Sequence, residues 1–307
     1  MQNKIYRTIF PILLMAVLAS ACSPAAPAAA DTNSQMNVTV SIIPEKYFVE
    51  RIGGDLVNVN VMVGPGDSPH TYEPKADQMT ALSQSAVYFS IGVEFESAWM
   101  ERMAAANPEM QIVDISANLE KVPMTAHHHH EGEGEESEAE EEEGGLDPHV
   151  WTSPENAKMM SQTIFETLAA IDPAHQAEYQ ANLDGFVKDI DALEDEINAN
   201  LSGLAANKFI VFHPAWGYFA RDFGLEQIAI EIEGSEPSAQ ELAAIIDEAK
   251  EENVQVVFGQ PEFSTKTAEY IAAEIGGQVI LISPLAEDWL ENLRAVSATF
   301  GEVLKSK

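Results

Sequence analysis

The sequence predicts an α/β fold of two parallel-sheet lobes joined by one long rigid helix. Three observations carry this. Short β-rich runs alternate with helical patterns over residues 37–113. Then Tyr179, Leu183, Phe186, Ile190, Leu193, Ile197 and Leu201 recur at spacings of three and four, as on one stripe of an amphipathic helix. The alternation restarts at Phe209 and runs to the C-terminal helix. Strands separated by helices imply parallel βαβ units. A helix of about 28 residues at about 1.5 Å each reaches roughly 40 Å, enough to span a domain.

The elements follow in order. Residues 37–43 (NVTVSII) form a strand candidate, followed by a helix near 45–52. Residues 56–63 form a second strand, which enters the loop Gly64-Pro65-Gly66-Asp67-Ser68-Pro69-His70. A helix follows Pro74, and 86–91 and 111–113 are further strands. In the second half, 209–212, 227–232, 254–258 and 278–282 read as strands. Residues 238–251, 266–275 and 288–304 read as helices. The expected division is an N-terminal lobe over 37–172, a linking helix over 173–204 and a C-terminal lobe over 205–307. Residues 126–146 form a His/Glu-rich disordered loop within the first lobe. A cleft between two lobes is the default place for a ligand.

The first 21 residues read as an export signal, with Lys4 and Arg7 ahead of a short apolar run. That run is too short for a comfortable membrane span. It ends in Ala19-Ser20-Ala21-Cys22, which fits a lipoprotein cleavage box with Cys22 as the lipidated residue. Residues 22–36, rich in Ala, Pro and Ser, then form a tether. Cys22 is the only cysteine, so no intramolecular disulfide or thiolate metal site is possible. Any metal must be held by His, Asp, Glu or water.

The formal charge is -34, and only nine of the 50 acidic residues lie in the run 131–143, so the acidity is chain-wide. This excludes nucleic acid as a partner and docking on anionic lipid through a basic patch. A strongly negative surface concentrates cations.

Eight histidines remain to be placed. His127, His128, His129 and His130 open the acidic run, a low-complexity tract whose imidazoles and carboxylates suit borderline divalent cations. His175 opens the long helix and reads as solvated surface. The other three each touch a proline, in SPHTYEP (His70), DPHVWTSP (His149) and VFHPAWGYF (His213), after a strand or at a loop end. Ligands in open α/β sheets bind beyond the carboxyl ends of strands. Three imidazoles converging there make a zinc-type site with a fourth position left open. Trp151 and Trp216, close behind two of these histidines, read as core residues that stiffen the ligands.

These contexts resemble the metal-binding cluster of ABC-transporter substrate-binding proteins, the zinc- and manganese-capturing lipoproteins. The resemblance covers about 37–304. It rests on GPGDSPHTYEP, DPHVW, FHPAW and Glu236-Pro237-Ser238 in order. It implies that His70, His149 and His213 bind the metal between the lobes, that the long helix limits lobe motion, and that the His/acid insert marks a zinc-type member. It also implies an exported, lipid-anchored monomer in the cell envelope that hands Zn2+ to an ABC permease and performs no catalysis.

Manganese-type members tend to put a carboxylate where His213 stands; three imidazoles favour zinc. The fourth ligand stays open. Where many relatives read Asp-Pro-Leu, this chain reads Ser283-Pro284-Leu285, and Pro69 precedes the first histidine. Water is the first expectation and Glu262 the second. The His127 to His130 insert reads as a zinc collector that raises the local concentration, or as a zinc sensor. Three alternatives are a manganese-type relative, an adhesin or metal buffer without a transporter, and a zinc hydrolase. Against the last, the chain has no HExxH motif, no Gly-x-Ser-x-Gly context and no obvious general base near a histidine in the sequence.

Overall fold

The computed structural model describes residues 35–124, 145–231 and 235–305. The export signal, Cys22, most of the tether and His127 to His130 lie outside them. In chain order the first sheet is built from β1 (Met36–Val40), α1 (Ile43–Gly53), β2 (Val57–Val61), α2 (Ala76–Leu82), β3 (Val87–Ser90), α3 (Glu94–Ala106) and β4 (Gln111–Asp114). All pairings are parallel, in the order β2-β1-β3-β4. β3 is buried along its length, as the apolar run Val87-Tyr88-Phe89 requires of an inner parallel strand.

Two helices follow. α4 (Pro154–Ile171) starts where the Ser153 hydroxyl accepts from the Asn156 N–H, with Pro154 at the first helical position. α5 (Gln176–Asn200) is the long helix, 25 residues rather than the 28 the sequence suggests. Its buried residues are Tyr179, Leu183, Phe186, Ile190, Leu193 and Ile197, the predicted stripe. Leu201 falls just past its end.

The second sheet repeats the first. Its elements are β5 (Lys208–Val211), α6 (Gly217–Phe223), β6 (Glu226–Ala229), α7 (Ala239–Glu251), β7 (Val256–Gly259), α8 (Lys266–Glu274), β8 (Gln278–Leu281) and α9 (Trp289–Lys305). The order is β6-β5-β7-β8, again parallel. Residues 35–305 thus hold two α/β lobes with equivalent strand orders.

One continuous apolar cluster runs from Val38 to Leu304 through both lobes. Its centre is an aromatic cluster drawn from three helices. Phe48 of α1 meets Trp289 of α9 edge to face at 5.1 Å, and Phe186 of α5 lies 5.8 Å from Phe48. The Trp151 indole donates to the Pro284 carbonyl, and the Trp289 indole donates to the Trp151 carbonyl. Gly301 lets α9 close on the end of α5; a Cβ there would sit 2.4 Å from the Asn200 carbonyl oxygen.

A buried acid pair sits beyond the carboxyl ends of β1 and β3. Glu45 folds back to accept the Ser41 and Ile42 N–H groups, both at 3.0 Å. Glu96 accepts from the Ile91 and Gly92 N–H groups and from the Ser41 hydroxyl. Burial first, then the charge of Glu96, pushes the Glu45 carboxyl well up.

Candidate metal centre

His70, His149 and His213 come together. Each offers one ligand nitrogen, and these lie within 4.8 Å of one another, the one such group among the described residues. The sheets explain why. His70 sits in the loop after β2, pinned where the Phe95 N–H donates to the Pro69 carbonyl. His213 lies two positions past the end of β5. Gln260, just past β7, grips its backbone on both sides, accepting from the His213 N–H and donating to its carbonyl. His149 precedes the short 3-10 turn Val150–Thr152 that leads into α4. Ligands gathered at the carboxyl ends of strands are what this topology offers.

Each imidazole is oriented by a carboxylate that the sequence reading did not assign. His70 Nδ1 lies 2.9 Å from Glu94 Oε1, His149 Nδ1 2.8 Å from Asp147 Oδ1, and His213 Nδ1 2.6 Å from Glu231 Oε1. A carboxylate can only accept, so each Nδ1 carries the proton and each Nε2 presents a lone pair. The Nε2 atoms face inward. His213 Nε2 is 3.0 Å from His70 Nε2 and 3.0 Å from His149 Nε2. Lone pairs that converge repel unless a cation or a proton sits among them. Outer carboxylates of this kind fix the tautomer and raise ligand basicity.

The three ligands differ in exposure. His149 and His213 are each 3% exposed, whereas the His70 side chain is 25% exposed. Burial, partly offset by Glu231, and the neighbouring histidines pull the His213 imidazole down to about 4, so it is neutral and ready to ligate. Burial also disfavours charge on His70, but the hydrogen bond and charge of Glu94 outweigh it and raise that imidazole. Phe263 stacks on His213 at 4.8 Å and 27°. Trp151 lies 5.2 Å from His149 and is buried, as is Trp216.

Glu262 is placed nearby but outside this group of three. Its Oε1 accepts from the Ser283 hydroxyl at 2.8 Å, while Oε2 is buried with no hydrogen-bond partner among the described residues. His175 lies elsewhere, bonded through Nδ1 to Asp172 at the start of α5. Of the missed residues, Asp147 was legible, two positions before His149 in DPHVW. Glu94 and Glu231 had no local signal, since each reaches its histidine through the fold.

The family described as "ZnuA: Zinc-uptake complex component A periplasmic" matches residues 38–303. The high-affinity zinc uptake system protein ZnuA of Paracoccus denitrificans is 35% identical over 288 residues, which cover 86% of this chain and 86% of that protein. A crystal structure of ZnuA superposes with a TM-score of 0.80 at 46% identity, covering 88% of this chain and 99% of that one. A zinc-bound deletion mutant of ZnuA superposes with a TM-score of 0.81 at 44% identity, covering 89% and 100%.

Proposed function

Because the chain belongs to the ZnuA family of zinc-uptake components, we propose that it captures Zn2+ outside the cytoplasm with His70, His149 and His213 and releases it to a membrane permease. The observation that carries this is the set of three inward Nε2 atoms, each backed by a carboxylate on Nδ1. Three imidazole nitrogens suit zinc over harder manganese. The cargo arrives with two positive charges at a place ringed by Glu94, Asp147 and Glu231.

The ligand set leaves a fourth position to water, with Glu262 as the protein alternative. Its buried Oε2 is an acceptor that a cation would satisfy. His127 to His130 act as an accessory collector at the start of an acidic tract. Cys22 anchors the exported chain through lipid. No helix among the described residues is long and apolar enough to cross a membrane. The protein works as a monomer and binds rather than transforms its cargo.

Competitive titration with zinc and manganese tests the assignment. One tight zinc-preferring site is expected in the chain lacking residues 127–145. His70→Ala and His213→Ala should each weaken it by more than about 100-fold, beyond the usual cost of losing an outer partner. Tight binding that survives both substitutions, or disappears with the insert, would move the site elsewhere.

A further inference from the structure

The insert that carries His127 to His130 lies in the sequence between Met124 and Gly145. Its two legs are joined where the Met124 N–H donates to the Gly145 carbonyl at 3.0 Å and the Asp147 N–H donates to the Val122 carbonyl at 2.8 Å. Pro123 and Leu146 form an antiparallel bridge between them. Tyr218, on α6 of the other lobe, holds both legs. Its hydroxyl accepts from the Val122 N–H at 3.2 Å and donates to the Asp147 carbonyl at 2.9 Å. A phenol has one proton to give, and here donor and acceptor are both used.

Asp147 is the outer partner of His149. Its Oδ1 accepts from both the backbone N–H and Nδ1 of His149. Gly217 touches the same carboxylate from another side; a Cβ there would sit 2.7 Å from Asp147 Oδ2. Gly217 and Tyr218 lie four and five positions beyond His213 on one short stretch. That stretch therefore carries one ligand and seats the carboxylate that orients another. A buried tyrosine needs partners for its hydroxyl wherever it sits. Here both partners are legs of the insert, and one leg carries Asp147.

We propose that Tyr218, with Gly217 leaving the space, is a positioning residue that fixes Asp147 and so sets His149 in register with His213. The root of the insert is thereby tied to the geometry of the metal centre. This rests on the three-histidine reading above.

The test is Tyr218→Phe in the full chain, read by zinc competition and by the visible spectrum of the cobalt(II) form, which reports ligand geometry. A loss of about 10-fold in zinc affinity is expected, the lower end of what outer-shell losses cost, together with a changed cobalt spectrum. In an Asp147→Asn background the same substitution should add little, since both changes act through one contact. A lower thermal midpoint with affinity and spectrum unchanged would make Tyr218 merely structural and overturn the proposal; so would full additivity with Asp147→Asn. Should Tyr218→Phe fail to fold, Gly217→Ala decides. It pushes on Asp147 with the hydroxyl intact, so a wild-type spectrum and affinity there overturn the proposal. His213→Ala is the control for the underlying reading. If that variant still binds zinc tightly, the three-histidine site itself is wrong.

Discussion

The Nε2 atoms of His70 and His213 lie 3.0 Å apart although 143 positions of chain separate the residues. Zinc bound at about 2.0–2.1 Å from each nitrogen in a tetrahedral site would set them about 3.3 Å apart. The two spacings differ by only tenths of an ångström, so this pair of nitrogens is placed to share one tetrahedral ion.

The outer carboxylates should matter almost as much as the ligands. Glu231→Gln keeps the size of the side chain and removes its charge. It is expected to lower zinc affinity by about 10- to 100-fold. Glu94→Gln should cost less, because Glu94 is 46% exposed at its side chain and Glu231 only 7%. Isothermal titration with a competing chelator measures both; equal affinities in the variants and the wild type would remove the carboxylates from the site.

Glu262→Gln separates a water ligand from a protein ligand. If Glu262 completes the coordination, the cobalt(II) spectrum shifts and zinc affinity falls, since a charged donor is replaced by a weak neutral one. If water does, neither moves. Ser283 would then be holding a carboxylate, as its 2.8 Å bond to Oε1 shows, with no part in binding.

Glu45 offers a test of stability through a buried acid that is not a metal ligand. Its folded carboxyl is raised well above the ordinary value of 4.5, by burial first and then by Glu96, with Asp114 adding to it. A raised acid binds its proton more tightly in the folded state. Its contribution is fully present below the unfolded value and is lost as pH rises through the folded one. Glu45→Gln removes that loss. Thermal midpoints measured from about pH 4.5 upward should show the variant gaining on the wild type with rising pH; parallel curves would contradict this.

Phe186→Ala should destabilise the body by about 3–5 kcal/mol, the range for a large buried aromatic. Phe186 is fully buried and touches both Phe48 and Trp289. Denaturant unfolding followed by tryptophan fluorescence measures it. A cost near that of a surface change would mean that the lobes are not held through α5.

Much of this is legible in the sequence. The alternation of strands and helices, the stripe on α5 and the three proline-flanked histidines all follow local rules of spacing and composition. What was not legible depends on the fold closing. Glu231 is 18 positions from His213 and Glu94 is 24 from His70, so neither pairing leaves a mark in a sequence window. Asp147 does leave one, two positions before His149 in DPHVW. α5 is shorter than the segment expected because Pro173–His175 form a separate 3-10 turn ahead of it and Leu201 keeps the apolar period just past its end.

The bridge between Pro123 and Leu146 has a consequence for tolerance to changes of length. The two legs are already closed on each other at the body, so the folded lobes do not depend on how many residues stand between them. By chain statistics each doubling of a loop adds only about 0.6 kcal/mol of closure entropy, so lengthening or shortening the stretch 125–144 should leave the unfolding midpoint of the body almost unmoved.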